Sequence, residues 1–400
     1  MPHRIHIQVA GLLLSALILI PLAGCGNQKQ DAAGTAPPVS SAEAPPAQEE
    51  PSFEAESPAS PEDAPAEEVL PPETEANTPL PISAPEEIQC ELYNAICSVR
   101  QPAPMEISGV TLSADPEIDV KNLYYELMRL YPELKYAYDI SAAAENSVLT
   151  CQIAYMPYKT GHWPEAEGAL TISSLRELLQ AAEAHLGAEP LPIRLTDPAL
   201  APDDMNRILQ QAGGGYILCA LNRDGTAITY TPAMGMEMAE CLSLLEQADQ
   251  LAEQIIAQEV TASMTEQEKA LALYAYLISH AKYDQRYYSD RKSMPYDAQT
   301  AIGALRDGLA ICGGYSHALK LLFKKAEIPC FNVTGKYFSE NHMWSIAHLD
   351  GEWLWFDATS DRGGSPAFGL RHFALEELDT TQYQWEQEQV DLFLQAVFAK

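Results

Sequence analysis

Asp307-Gly308-Leu309-Ala310-Ile311-Cys312-Gly313-Gly314-Tyr315-Ser316-His317-Ala318 decides how the second half of the chain is read. Past Cys312, apolar residues recur at Ala318, Leu319, Leu322 and Phe323. That helical spacing puts Cys312 at or next to a helix N-terminus. Free backbone N–H groups and the positive end of the helix dipole favour thiolate over thiol there. The paired glycines are expected to let a substrate backbone come close. A tight turn beside a core thiol would use the same residues, so this segment alone leaves both readings open.

A second segment weighs toward chemistry. Asn341 to His348 alternates as a strand, Asp350-Gly351 marks a turn, and Trp353-Leu354-Trp355-Phe356-Asp357 reads as the returning strand. A two-residue turn pairs Leu349 with Glu352 and carries the ladder back to Trp344 opposite Asp357 and His342 opposite Thr359. His342 and Asp357 then share a face as diagonal neighbours, roughly 7–8 Å apart at the backbone. A one-residue slip would separate them. Thiol, imidazole and carboxylate together serve nucleophilic attack on an acyl carbon. His342 would hold the thiolate as an ion pair and then protonate the leaving amine, with Asp357 orienting the ring. The Cys312 N–H is one candidate oxyanion donor, and no second donor is identified. His280, His317, His348 and His372 read as surface or structural residues. Trp344, Trp353 and Trp355 read as core or groove wall.

These motifs stand in an order that resembles the transglutaminase-like superfamily. They are Asp307-Gly308 with Cys312-Gly-Gly-Tyr-Ser, then Glu327-Ile328-Pro329-Cys330 through Gly335, His342-Met-Trp344, and Gly351-Glu-Trp353-Leu-Trp355-Phe-Asp357-Ala-Thr359. Tyr283-Asp284 and Arg371-His372-Phe373 look like its bacterial branch. The resemblance covers about residues 259–385. It implies a papain-like α+β core and catalytic roles for Cys312, His342 and Asp357. Ser316 stands where Ala is commoner, and Ala358 where Pro is common.

Upstream, residues 89–258 alternate helix and strand signals and are expected to form a mixed α/β accessory domain before a transglutaminase-like domain at 259–400. A helix closed by Pro132 carries Leu123, Leu127 and Leu130. Strands are expected at 148–156 and 191–195, a helix over 203–212, and a hairpin around Asp224-Gly225. Ser174-x-x-Glu177 and Thr265-x-x-Glu268 read as capping boxes. Gly213-Gly214-Gly215 follows a helix and precedes a strand, so it reads as a helix end rather than a phosphate loop. Cys241 to Ile256 has one apolar helical face and is expected to bridge the two domains.

The N-terminus reads as an address. Arg4 precedes an apolar run from Val9 to Ile20, then Leu22-Ala23-Gly24-Cys25, which describes an export signal over residues 1–24. The Leu-Ala-Gly-Cys box resembles a lipoprotein box in which Cys25 is acylated and holds the chain on a membrane. Residues 25–88 are rich in Pro, Ala and Glu and read as a disordered tether. The full charge is -32 from 56 acids and 24 bases, which sets aside a nucleic-acid partner. Within 26–88 there are 14 acids against Lys29 alone. The seven cysteines after Cys25 lack zinc spacing and there is no calcium-loop pattern, so no metal or cofactor is expected. Three disulfides plus one thiol, or buried free thiols, would each account for them.

The expectation is therefore a lipid-anchored thiol enzyme on the extracytoplasmic face of the cell membrane, acting on amide bonds of a peptide, protein or cell-wall substrate, with hydrolysis favoured. Cross-linking acyl transfer and a non-catalytic surface scaffold are the alternatives. Cys25→Ala should abolish labelling by a radioactive fatty acid and release the protein from the membrane fraction; unchanged labelling would remove the anchor.

Overall fold

The computed structural model describes residues 78–398 apart from Ala114 and Ala188, so the expected signal segment, Cys25 and most of the tether lie outside the described residues. The described residues include elements before residue 89. Leu80–Pro81 is a short strand, and Pro85–Cys97 is a helix with Pro at its first turn. Ile88, Leu92 and Ile96 fall on one face of that helix and are fully buried, so it is their spacing that orders this stretch.

The upstream region is built on two four-stranded sheets. The first has the order Leu80–Pro81, Met105–Glu106, Val148–Tyr155, Ala137–Glu145, and the second has the order Leu170–Ile172, Leu191–Leu195, Ala227–Pro232, Ile217–Leu221. The helix closed at Pro132 runs Pro116–Leu130, but its buried face is Val120, Tyr124, Leu127 and Met128. Leu130, the last residue of the helix, is exposed. Ser174 caps the helix Leu175–Ala184, while the Glu177 carboxylate bonds Ser173 instead of returning to Ser174. The expected box is therefore half formed. The second box, Thr265 with Glu268, has both bonds. The helix expected over 203–212 spans Pro202–Leu209 and gives way to turns. Gly213 cannot carry a side chain, since a Cβ there would lie 1.7 Å from the Ile217 carbonyl oxygen.

Helix Met238–Glu259 buries Cys241, Ala248, Ala252 and Ile255, and it packs on the Ala227–Pro232 strand as well as on helices Ala301–Leu305 and Cys312–Lys325. The C-terminal region is α+β. Its antiparallel sheet runs Glu352–Phe356, Glu340–Leu349, Cys330–Tyr337, Tyr383–Trp385, and helix Cys312–Lys325 lies against it. That helix buries Tyr315, Ala318, Leu319, Leu322 and Phe323. Phe323 meets Phe356 of the sheet edge-on, at 5.3 Å between ring centroids.

Among the described residues no helix is long and apolar enough to cross a membrane. All seven described cysteines are free thiols, four of them buried.

The glycines after Cys312 serve packing, which corrects the expectation that they admit substrate. A Cβ on Gly314 would stand 2.5 Å from the Ala298 carbonyl oxygen and 2.8 Å from the Ala310 Cβ, and one on Gly313 would stand 3.0 Å from the Gln299 carbonyl oxygen. The helix start is pressed against the 297–310 segment, and only glycine leaves room for that backbone. Gly314→Ala should cost about 1–3 kcal/mol of stability in urea unfolding, whereas a neutral result would show that this seam can open without loss.

Candidate active site

The register of the C-terminal hairpin brings two of the three chemical groups together. Leu349 pairs with Glu352 and the ladder continues to Ser345 opposite Phe356. Asp350 at φ 49° and Gly351 at φ 94° make the two-residue turn, as Asp-Gly favours. Pairing stops one residue before Asp357, whose N–H donates instead to the His372 carbonyl at 2.9 Å. The Glu340–Leu349 strand continues past that point paired only on its other side, with Gly335 opposite His342, and His342 Nε2 lies 2.8 Å from Asp357 Oδ2.

Cys312 is the first residue of its helix, with Ile311 as the extended N-cap. The segment before it is fixed by Ile311 N–H donating to the Ala298 carbonyl at 2.8 Å. One turn along, Ser316 Oγ donates to the Met343 carbonyl at 3.0 Å. The helix start is thus tied to the residue next to His342. The Cys312 sulfur also hydrogen-bonds to the His342 ring.

Electrostatics favour an ion pair. Burial pushes the His342 ring toward neutrality, but the bonds to Asp357 and to the Cys312 sulfur outweigh it and raise its pKa to about 10. Burial would likewise raise Asp357; the hydrogen bonds from His342, Ser360 and Tyr383 overcome it and hold the carboxyl below its ordinary range. The thiols of Cys151, Cys219 and Cys330 are each pushed up to about 12 by burial.

Sequence reasoning missed what surrounds Asp357. Oδ2 also accepts from Ser360 Oγ at 2.7 Å and Tyr383 Oη at 2.8 Å, while Oδ1 accepts from the Ser360 N–H at 3.1 Å. The Tyr383 hydroxyl stands 3.1 Å from His372 Nδ1. Its single proton goes to Asp357, so His372 must present an N–H at Nδ1. His372 is therefore part of the site's support, not a bystander. Of the other histidines, His280 bonds the Leu305 carbonyl, His348 packs on Trp353, and His317 sits beside Asn332. Trp344 is 1% exposed and forms a floor under His342, with ring centroids 5.8 Å apart. It is core, not groove wall.

The wall is tyrosine. Cys312 and His342 open into a cleft of about 290 Å³ flanked by Tyr283, Tyr287, Tyr288, Tyr337 and Phe338. Asp284, almost fully buried, accepts the Arg286 N–H at 3.0 Å and grips its guanidinium at 2.7 Å, which fixes the turn that presents Tyr287 and Tyr288. The Tyr283-Asp284 pair thereby acquires a physical role.

Residues 250–358 match the family model of the transglutaminase-like superfamily, and this part of the chain carries a transglutaminase-like core. Among solved structures, the chain is similar to one described as a TGase, at 16% identity over 54% of this chain and 62% of that one, with a TM-score of 0.28. It is also similar to a "putative cysteine protease" from Cytophaga hutchinsonii, at 20% identity over 37% of this chain and 55% of that one, with a TM-score of 0.24. Each match spans less than two thirds of the solved chain. A comparison with curated proteins finds no match.

A histidine raised from 6.5 to about 10 binds its proton more tightly folded than unfolded. Its contribution to stability is complete below pH 6.5 and is lost as pH rises through 10. Asp357→Asn removes the largest raising cause and leaves burial, which lowers, opposed only by the Cys312 sulfur. The His342 titration, followed by NMR, should then fall by several units; a shift of less than one unit would mean that Asp357 does not hold the imidazolium.

Proposed function

We propose that the chain is an extracytoplasmic, lipid-anchored thiol enzyme that hydrolyses amide bonds in peptide or cell-wall substrates. Cys312 is the nucleophile, His342 the acid and base, and Asp357 the group that orients His342. The observation that carries the reading is the 2.8 Å His342–Asp357 bond standing beside a helix-start thiol in one open cleft. The transglutaminase-like core supports the class of chemistry, not the substrate.

The cycle follows from the geometry. The Cys312 thiolate attacks the carbonyl carbon, and the charge moves onto oxygen, which the unpaired Cys312 N–H of the first helical turn can meet. As the C–N bond breaks, the nitrogen takes its proton from the His342 imidazolium, and a thioester remains on Cys312. Neutral His342 then removes a proton from water, hydroxyl adds to the thioester, and the acid leaves as the thiolate and imidazolium reform. Asp357 stays ionised throughout, because its bonds from Ser360 and Tyr383 do not depend on the state of His342.

Water is favoured over an amine as the second substrate. Its concentration is about 55 M, so an amine wins only where water is excluded or the amine is held in a fitted groove. Phe338 is 59% exposed and Tyr288 is 54% exposed on the rim, which describes an open cleft rather than a tunnel. Cell-wall fragments and diverse peptides, offered with millimolar primary amine, should give mainly hydrolysis products by mass spectrometry, and Cys312→Ala should give none. Amine adducts in excess of hydrolysis would replace the hydrolase with a transferase, and products from Cys312→Ala would remove the thiol mechanism altogether.

A further inference from the structure

The cleft holds a cation that the acyl chemistry leaves unused. Arg362 lines it together with Cys312 and His342. Its Nη1 donates to the Thr359 carbonyl at 2.6 Å, and its guanidinium lies 5.1 Å from the centre of the Tyr283 ring. The side chain is thus held from below by a carbonyl and from the side by an aromatic face, with its Nε and Nη2 donors uncommitted among the described residues.

Its surroundings make this freedom informative. The chain has 56 acids and 24 bases, and the other groups around the cleft that could pair with a substrate charge are already engaged. Arg286 is paired with Asp284, and Arg306 is paired with Asp297 and Asp307. The His342 imidazolium is matched by Asp357 and the Cys312 sulfur. The one carboxylate lining the cleft, Glu340, accepts from the Tyr288 hydroxyl at 2.9 Å. Asp361, next in sequence to Arg362, faces inward and accepts from the Arg371 and His372 N–H groups and from Tyr274. Of the two cations described in the cleft, His342 has a counter-charge and Arg362 has none among the described residues.

We propose that Arg362 is a specificity-determining residue that receives a carboxylate of the substrate close to the scissile amide, so that the enzyme prefers acidic peptides. The proposal rests on the thiol-enzyme reading of Cys312. The planar guanidinium suits a carboxylate because two parallel N–H donors can meet its two oxygens. The acidic surface elsewhere repels such a ligand at long range, but at about 0.15 M salt that repulsion is screened beyond roughly 8 Å, and the contact in the cleft decides.

The test needs no known substrate. Iodoacetate and iodoacetamide alkylate a thiolate by the same displacement of iodide, and they differ in a carboxylate against an amide. The rate at Cys312 is mapped by mass spectrometry in the full chain. His342 draws the anion in every variant, so the effect of Arg362 is the change in the ratio of the two rates. Arg362→Gln should lower the iodoacetate rate about three- to tenfold and leave the iodoacetamide rate within about twofold. Arg362→Lys, which keeps the charge but loses the fork, should fall between. An unchanged ratio in Arg362→Gln overturns the proposal, and so does an equal fall in both rates, since Arg362 would then act on the thiol and not on the ligand. A wild-type Cys312 inert to both reagents would remove the thiol-enzyme reading itself, a different result from a reactive Cys312 with an unchanged ratio. In a second arm, peptides carrying Glu or Gln beside the scissile bond, each with a free or amidated C-terminus, distinguish a side-chain carboxylate from a terminal one. No loss of cleavage on either neutralisation overturns the proposal.

Discussion

A carboxylate held away from water with four donors on it is the constraint around which the C-terminal region is arranged. Asp357 is 1% exposed, and an ionised group in that position is tolerated only where hydrogen bonds replace its lost hydration. The donors come from separate places in the chain: His342 from the strand before the turn, the Ser360 backbone and hydroxyl from the turn after Asp357, and Tyr383 from the far edge of the sheet. Losing one donor would cost about 1–3 kcal/mol. The same bonds that neutralise this burial aim His342 and keep its proton. Stability and positioning are therefore one interaction here.

The outer strand shows how far this requirement reaches. Tyr383–Trp385 pairs with the Cys330–Tyr337 strand only from Gly335 to Tyr337, a short contact. Gly335 makes it possible, because a Cβ there would lie 2.1 Å from the Gln384 carbonyl oxygen and 2.7 Å from the Trp344 ring. The glycine lets Trp344 lie flat beneath the strand, and Trp344 in turn supports His342 on one side and meets Tyr383 edge-on, at 5.3 Å between centroids. Tyr383 then closes the circuit by donating to Asp357. A residue with no polar group is what allows a polar one to arrive.

What could be read from the sequence was local or periodic. The hairpin register followed from Asp350-Gly351 as far as Ser345 opposite Phe356; the expected pairs Trp344–Asp357 and His342–Thr359 do not form, and His342 and Asp357 meet through their side chains. The helix beginning at Cys312 followed from its apolar spacing, and the Thr265 cap from two residues three apart. The unread part depends on residues far apart in the chain. Nothing near Tyr383 or Ser360 marks them as donors to Asp357, and nothing in Tyr283 or Arg362 marks them as cleft residues. Gly313 and Gly314 were assigned to the substrate side because a glycine pair beside a thiol fits either use; only the position of the 297–310 backbone decides. Leu130 was grouped with Leu123 and Leu127 from spacing alone, yet it is exposed, Leu123 is only partly buried against the core, and Tyr124 and Met128 are buried.

Ser316 shows how a small departure from a family pattern can bear on geometry. Alanine is commoner at this position in the transglutaminase-like proteins that the segment resembles, and from sequence the hydroxyl had no evident use. It is buried, and it reaches the Met343 carbonyl at 3.0 Å. That carbonyl belongs to the residue between His342 and Trp344, whose side chains face the site, so the bond joins the helix that starts with Cys312 to the strand that carries His342. Packing of Leu319, Leu322 and Phe323 sets the helix against the sheet but resists sliding along it only weakly, because apolar contact has no direction. A hydrogen bond does have direction. One turn from the thiol, it converts a packed interface into a fixed distance between the sulfur and the imidazole, the one separation in the site that neither the hairpin nor the helix sets alone.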